Sequence, residues 1–107
     1  MQFRGGMSEL MRQASRMQRK VDQRKKELKD ETVEVGVGND QVKVTATGGN
    51  EILKVVISPE LLTAESIEMA QDLVVAGVNA ALKKAQEMVD AELEKVTKGI
   101  KMPGGVL

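Results

Sequence analysis

Arg12, Arg19 and Lys26 recur every seven residues, and Arg16 falls four after the first and three before the second. On a helix this spacing sets all four cations along one face. Lys20 and Lys25 stand at the flanks, with Arg24 between them and Lys29 just beyond. The chemistry open to such a stripe is electrostatic. Guanidinium groups offer planar paired donors and ammonium groups compact point charges, and both suit phosphate oxygens. The first thirty residues hold nine of the sixteen Lys and Arg, opposed only by Glu9, Asp22, Glu27 and Asp30, so this segment is +5 in a chain of zero formal charge. The remainder, with seven basic and twelve acidic residues, is −5. Such asymmetry points to an anionic partner met from one end.

The element that must carry the stripe is legible on its other side. Met7, Ala14, Val21 and Leu28 are seven apart, and Leu10 and Met17 fall three after the first two. These are the a and d rows of a short coiled-coil-like heptad, widened by Met11 and interrupted at the next d position by Arg24. The spacing predicts a helix from Met7 to about Asp30, with Ser8 or Gly6 as its cap. The cations lie opposite this seam. A charged helix face is also what plain solvated surface looks like, and the sequence pI of about 6.3 is lower than a basic nucleic-acid domain shows.

Composition removes other classes of function. The chain has no Cys, His, Trp or Tyr, and Phe3 is its one aromatic residue. Without Cys there is no disulfide framework and no thiolate chemistry. Without His, most general-base and metal constellations cannot be built. Single-strand binders stack bases on aromatic side chains, so a nucleic-acid partner would be a duplex met by its backbone. No enzyme activity, cofactor, metal or small-molecule substrate is expected. With no apolar run near the roughly 18 residues of a membrane span, and no signal-peptide pattern, a cytoplasmic protein that meets no membrane is expected.

Three alternating runs follow the helix. Val33, Val35 and Val37 share one face of the first, Val42, Val44 and Ala46 one face of the second, and Leu53, Val55 and Ile57 are expected to share one face of the third. Short turns at Asn39-Asp40 and Gly48-Gly49-Asn50 predict an antiparallel meander over 32–57. Pro59 opens a helical segment over 59–98, with Thr63 as a second cap and apolar spacing from Ile67 to Val96. Gly77 interrupts that helix at about 1 kcal/mol relative to Ala. Gly99 ends it, and 99–107 reads as a flexible tail. The fold class is α+β, ordered α-β-β-β-α in a single domain of 107 residues, with helices too long for a globule of this size. A homodimer with projecting helices follows.

Weaker signals stay structural. Gly36-Val37-Gly38 precedes a strand, so a turn explains it better than a dinucleotide fingerprint. Glu87, Asp90 and Glu94 share one helix face, where solvation explains them better than a metal. Met7, Met11 and Met17 could form an adaptable protein-binding groove.

Several fragments then resemble the YbaB/EbfC family of bacterial nucleoid-associated proteins. They are Gly5-Gly6-Met7 with Leu10-Met11, Gln13-Ala14 and Met17-Gln18; Val42-Lys43-Val44, Gly48 and Val55 to Leu62; Asp72-Leu73-Val74 with Ala76 and Asn79-Ala80; and Met102-Pro103-Gly104. The resemblance spans nearly the whole chain in order. It implies a small tweezer-like homodimer that binds double-stranded DNA with limited sequence preference in the nucleoid, influencing gene expression, nucleoid organisation or recombination and repair. Two departures stand out. Gly77 replaces the family's usual Ala, and the second helix ends acidic through Glu87, Asp90, Glu92 and Glu94. The expected phosphate contacts are therefore Arg12, Arg16, Arg19, Lys20, Arg24, Lys25, Lys26 and Lys29, with Lys83, Lys84 and Lys95 secondary. The rival reading is a coiled-coil-like adaptor or holdase that grips protein with its Met-rich seam.

Overall fold

The structure, a computed structural model, describes residues 2–98, with side chains from Gly6 onward. Helix α1 spans Gln2–Leu28 and is followed by strands β1 (Thr32–Val37), β2 (Val42–Thr47) and β3 (Ile52–Ile57). A short 3-10 turn at Pro59–Leu61 leads to helix α2, Ile67–Lys98. The expected order α-β-β-β-α holds, and the sheet is antiparallel in the order β1-β2-β3. The tail expected over 99–107 lies outside the described residues.

Helix α1 begins earlier than the apolar repeat suggests. Backbone hydrogen bonding carries it back to Gln2, past Gly5 and Gly6, so neither Ser8 nor Gly6 is its cap. The repeat marks where a helix has something to bury, and the helix itself continues beyond it. Thr63 does act near the start of α2, where its Oγ1 accepts the Ser66 N–H at 3.2 Å.

The core forms where α2 lies across β1 and β2. Val42, Val44 and Ala46 of β2 are fully buried against Ala70, Ala81 and Ala85, with Val33, Val35 and Val37 packed beside them. Small residues on this face of α2 let the helix approach the sheet closely. Gly77 is the extreme case, since a Cβ there would sit 2.8 Å from Cγ2 of Val44. Its absent side chain is a packing requirement that offsets its poor helix propensity.

Strand β3 departs from simple alternation. Val55 pairs with Val44 and Ile57 with Val42, but the register slips so that Lys54 faces Thr45 while Ile52 faces Ala46. Leu53 is the extra residue of this bulge, and a bulge reverses the facing of what lies beyond it. Ile52, not Leu53, therefore joins Ile57 in packing against the core, and Leu53 and Val55 are exposed.

The β2–β3 turn is tied to the end of α1. The N–H groups of Gly48 and Gly49 donate to the carbonyls of Glu31 and Lys29 at 2.9 and 3.1 Å. Buried Thr47 accepts the Gly49 and Glu51 N–H groups through Oγ1 at 3.2 and 3.3 Å. A Cβ at Gly48 would collide with the Leu28 carbonyl, so only glycine lets the turn come this close. The radius of gyration, 21.0 Å, far exceeds the about 13 Å of a compact domain of this length, because α1 extends beyond the sheet. Overpacking at the α2–sheet contact is predicted to be costly. Gly77→Val should lose roughly 1–3 kcal/mol of stability in denaturant unfolding, and an unchanged midpoint would contradict the close-approach account.

Candidate nucleic-acid interface

Seven of the eight expected contacts are exposed, Arg12, Arg16, Arg19, Lys20, Lys25 and Lys26 on α1 and Lys29 just past its end. They fall into two groups. Arg12, Arg16, Arg19 and Lys20 occupy the projecting part, where Arg16, Arg19 and Lys20 border a cleft of about 540 Å³ between α1 and the end of α2. Lys25, Lys26 and Lys29 lie lower, around a shallow cavity shared with Gly48, Gly49, Gln86 and Val89. At a 1.5 Å rise per residue, the distance from Arg12 to Lys26 along the axis is about 21 Å. Cations thus line α1 from Arg12 onward.

Most of this charge is not consumed within the protein. Glu9 holds Arg16 at 3.3 Å and Arg12 at 3.7 Å, with all three side chains more than half exposed. Such pairs are weak and exchange readily with solvent or another anion. Among the described residues, Arg19, Lys20, Lys25, Lys26 and Lys29 make no ion pair.

Arg24 is placed differently. Its side chain is 26% exposed, and its guanidinium meets three carboxylates: Glu92 of α2 at 2.5 Å, Glu27 at 2.9 Å and Glu31 at 3.6 Å. Glu92 also accepts from Lys95 Nζ at 2.6 Å. Arg24 occupies a seam position, so it points at the partner helix, and the anion it needs is supplied from there. Within the acidic end of α2, Glu92 alone meets a cation of α1 among the described residues. Glu92 is paired twice, Glu94 holds Lys98 at 2.9 Å, and Asp90 accepts from Gln86 at 2.8 Å. Lys95, from α2, joins the basic cleft beside Arg19 and Lys20. Lys84 instead donates to the Glu34 carbonyl at 2.9 Å, fastening α2 to β1, while Lys83 is exposed.

No helix among the described residues is long and apolar enough to cross a membrane. Comparison with known proteins matches residues 3–100 to the model of the YbaB/EbfC DNA-binding family. A nucleoid-associated protein of Acetivibrio thermocellus is 44% identical over 104 residues, covering 97% of this chain and 89% of its own. One from Pelotomaculum thermopropionicum is 45% identical over 100 residues, covering 94% and 95%. In fold the chain is similar to an uncharacterised protein of Helicobacter pylori seen in a crystal structure. The TM-score is 0.61 at 23% identity, covering 73% of this chain and 90% of that one.

The ion cluster leaves a titration signature. Hydrogen bonds from Lys95 and then Arg24 hold the Glu92 carboxyl below the usual carboxylate range, and Glu92 in turn raises Arg24. Because the folded carboxyl binds its proton less readily than the unfolded one, its contribution is complete above about pH 4.3 and fades as pH falls through the lowered value. Glu92→Gln is predicted to loosen the α1–α2 junction at neutral pH and to weaken its acid sensitivity. Hydrogen exchange over residues 17–28 measures both effects, and unchanged protection would show that the cluster does not hold the junction.

Proposed function

The chain belongs to the YbaB/EbfC DNA-binding family, and from that premise we propose that it is a homodimeric nucleoid-associated protein. It binds double-stranded DNA mainly through backbone phosphates, with limited sequence preference. The observation that carries this reading is the run of five cations along α1 and just past its end with no carboxylate partner among the described residues: Arg19, Lys20, Lys25, Lys26 and Lys29. Arg12 and Arg16, held only by exposed Glu9, complete the surface. Duplex DNA releases condensed counterions as such groups approach, which drives association without reading bases. Arg24 serves as a positioning residue, holding α1 against α2. Effects on gene expression, nucleoid organisation or recombination and repair would follow from occupancy of the duplex.

The homodimer reading is supported by the bare edge of the sheet. Strand β3 is an unpaired edge, and Leu53, Val55 and Val56 on it are exposed, as are Leu62, Ile67 and Val75 nearby. Ile57, Leu62, Ile67, Val74 and Val75 line an apolar groove of about 340 Å³. An apolar edge strand invites pairing with another strand, and two-fold pairing of identical edges is the commonest closed solution. The dimer would carry two α1 stripes on one scaffold.

Two outcomes are predicted. Arg16→Glu with Arg19→Glu should lower duplex affinity by about tenfold or more at low salt without changing the oligomeric state, as followed by fluorescence anisotropy and sedimentation. Unchanged affinity would instead favour the seam-binding adaptor. Leu62→Glu with Val75→Glu should give folded monomers in sedimentation, and a persistent dimer would place the interface elsewhere.

A further inference from the structure

The two helices run antiparallel, since Leu28 and Val89 both approach Gly48, Arg24 holds Glu92, and Lys20 shares a cleft with Val96. That cleft, of about 540 Å³, has two walls. Arg16, Lys20, Gln23 and Glu27 follow one another at four, three and four residues, and Arg19 falls three after Arg16. Such spacing turns them toward one side of α1. Lys95 and half-buried Val96 supply the facing wall from α2. Arg24, fastened to Glu92, belongs to the same lining and ties the two walls together.

Charge in the cleft is one-sided. Five cations line it against one carboxylate, Glu27. Arg19 and Lys20 make no ion pair among the described residues, and Arg16 has only exposed Glu9 at 3.3 Å. Lys95 meets Glu92, but its side chain is 74% exposed, and a pair this exposed exchanges readily for another anion. The volume lies within the roughly 300–1,000 Å³ of small-molecule sites. A duplex, whose major groove alone is about 12 Å wide, is too broad to enter and meets Arg16 and Arg19 at the rim. Cations converging from two helices suit an anion with several phosphate groups close together. Arg grips phosphate oxygens in pairs and Lys as a point charge. Gln23 adds an amide that donates and accepts. Val96 and the aliphatic stems of the cations offer an apolar surface, and a guanidinium plane can stack on a base.

We propose that the cleft between α1 and the end of α2 binds a small di- or triphosphate, free or carried on a nucleoside, with Arg19, Lys20 and Lys95 holding its phosphate oxygens. Arg16 and Arg19 also belong to the surface assigned to DNA, so the bound polyphosphate displaces the duplex. That consequence rests on the DNA reading. The binding itself does not.

Isothermal titration calorimetry of the full chain without DNA, with ATP and inorganic pyrophosphate as probes, tests the site directly. Saturable binding at one site per chain is expected, and the tighter probe identifies the source of the phosphates. Arg19→Gln with Lys20→Gln should weaken binding about tenfold or more, since two charged contacts are lost. Lys95→Gln should weaken it from the other wall. Lys25→Gln with Lys26→Gln removes the same charge from α1 outside the cleft and should leave polyphosphate affinity as it was. Absence of saturable binding for both probes would overturn the proposal. So would equal losses in the two double variants, which would reduce the effect to the diffuse field of α1. Added to a preformed duplex complex, the tighter probe should release the DNA. Probe binding in a chain that binds no duplex would contradict the DNA reading and leave the cleft site standing.

Discussion

The joint at the foot of α1 is the constraint on which the rest of the molecule depends. Three kinds of contact meet there. Leu28 is buried, the Gly48-Gly49 turn donates to the Glu31 and Lys29 carbonyls, and Arg24 is caught among Glu27, Glu31 and Glu92. Together with half-buried Met17 and Val21, these contacts give the projecting helix its direction. With the joint made, cations far from the core inherit its orientation, because a helix transmits direction along its length. Without it, the stripe would be a charged segment on a swivel.

The joint also sorts the charge. On α1, Arg24 is fastened to Glu92 of α2, whereas Arg19, Lys20, Lys25 and Lys26 make no ion pair among the described residues. Burial explains the division. Arg24 lies on the seam, where a guanidinium left unpaired would be costly, so it takes the carboxylates within reach. Arg19 and Lys26, on the opposite face, incur no desolvation and need no partner. One helix thus holds cations that fasten it and cations left for an external anion.

Much of this was legible in the sequence. Period-two runs separated by Asn, Asp and Gly turns located all three strands, and the heptad spacing located the seam opposite Arg12, Arg16 and Arg19. The failures have physical causes. Alternation puts Leu53 on the face of Val55 and Ile57 because a bulge leaves no mark on the pattern; it arises from pairing with β2. Gly77 read as a weak point because propensity is local, while the reason for glycine is a valine on β2. The pairing of Arg24 is likewise hidden from a local reading, which groups it with the other α1 cations. Its partner, Glu92, lies 68 residues away, and only antiparallel packing of the helices brings the two together. Resemblance to the family implied what the residues alone left open, namely duplex DNA as the partner proposed for the stripe.

The central claim is that the outward face of α1 exchanges counterions for DNA phosphates, and the salt dependence of duplex affinity tests it most directly. With about six phosphates neutralised, the logarithm of the association constant should fall against the logarithm of salt concentration with a slope of about −5. Affinity that hardly changes with salt would contradict the account, because it would mean that the exposed cations of α1 are not what holds the DNA.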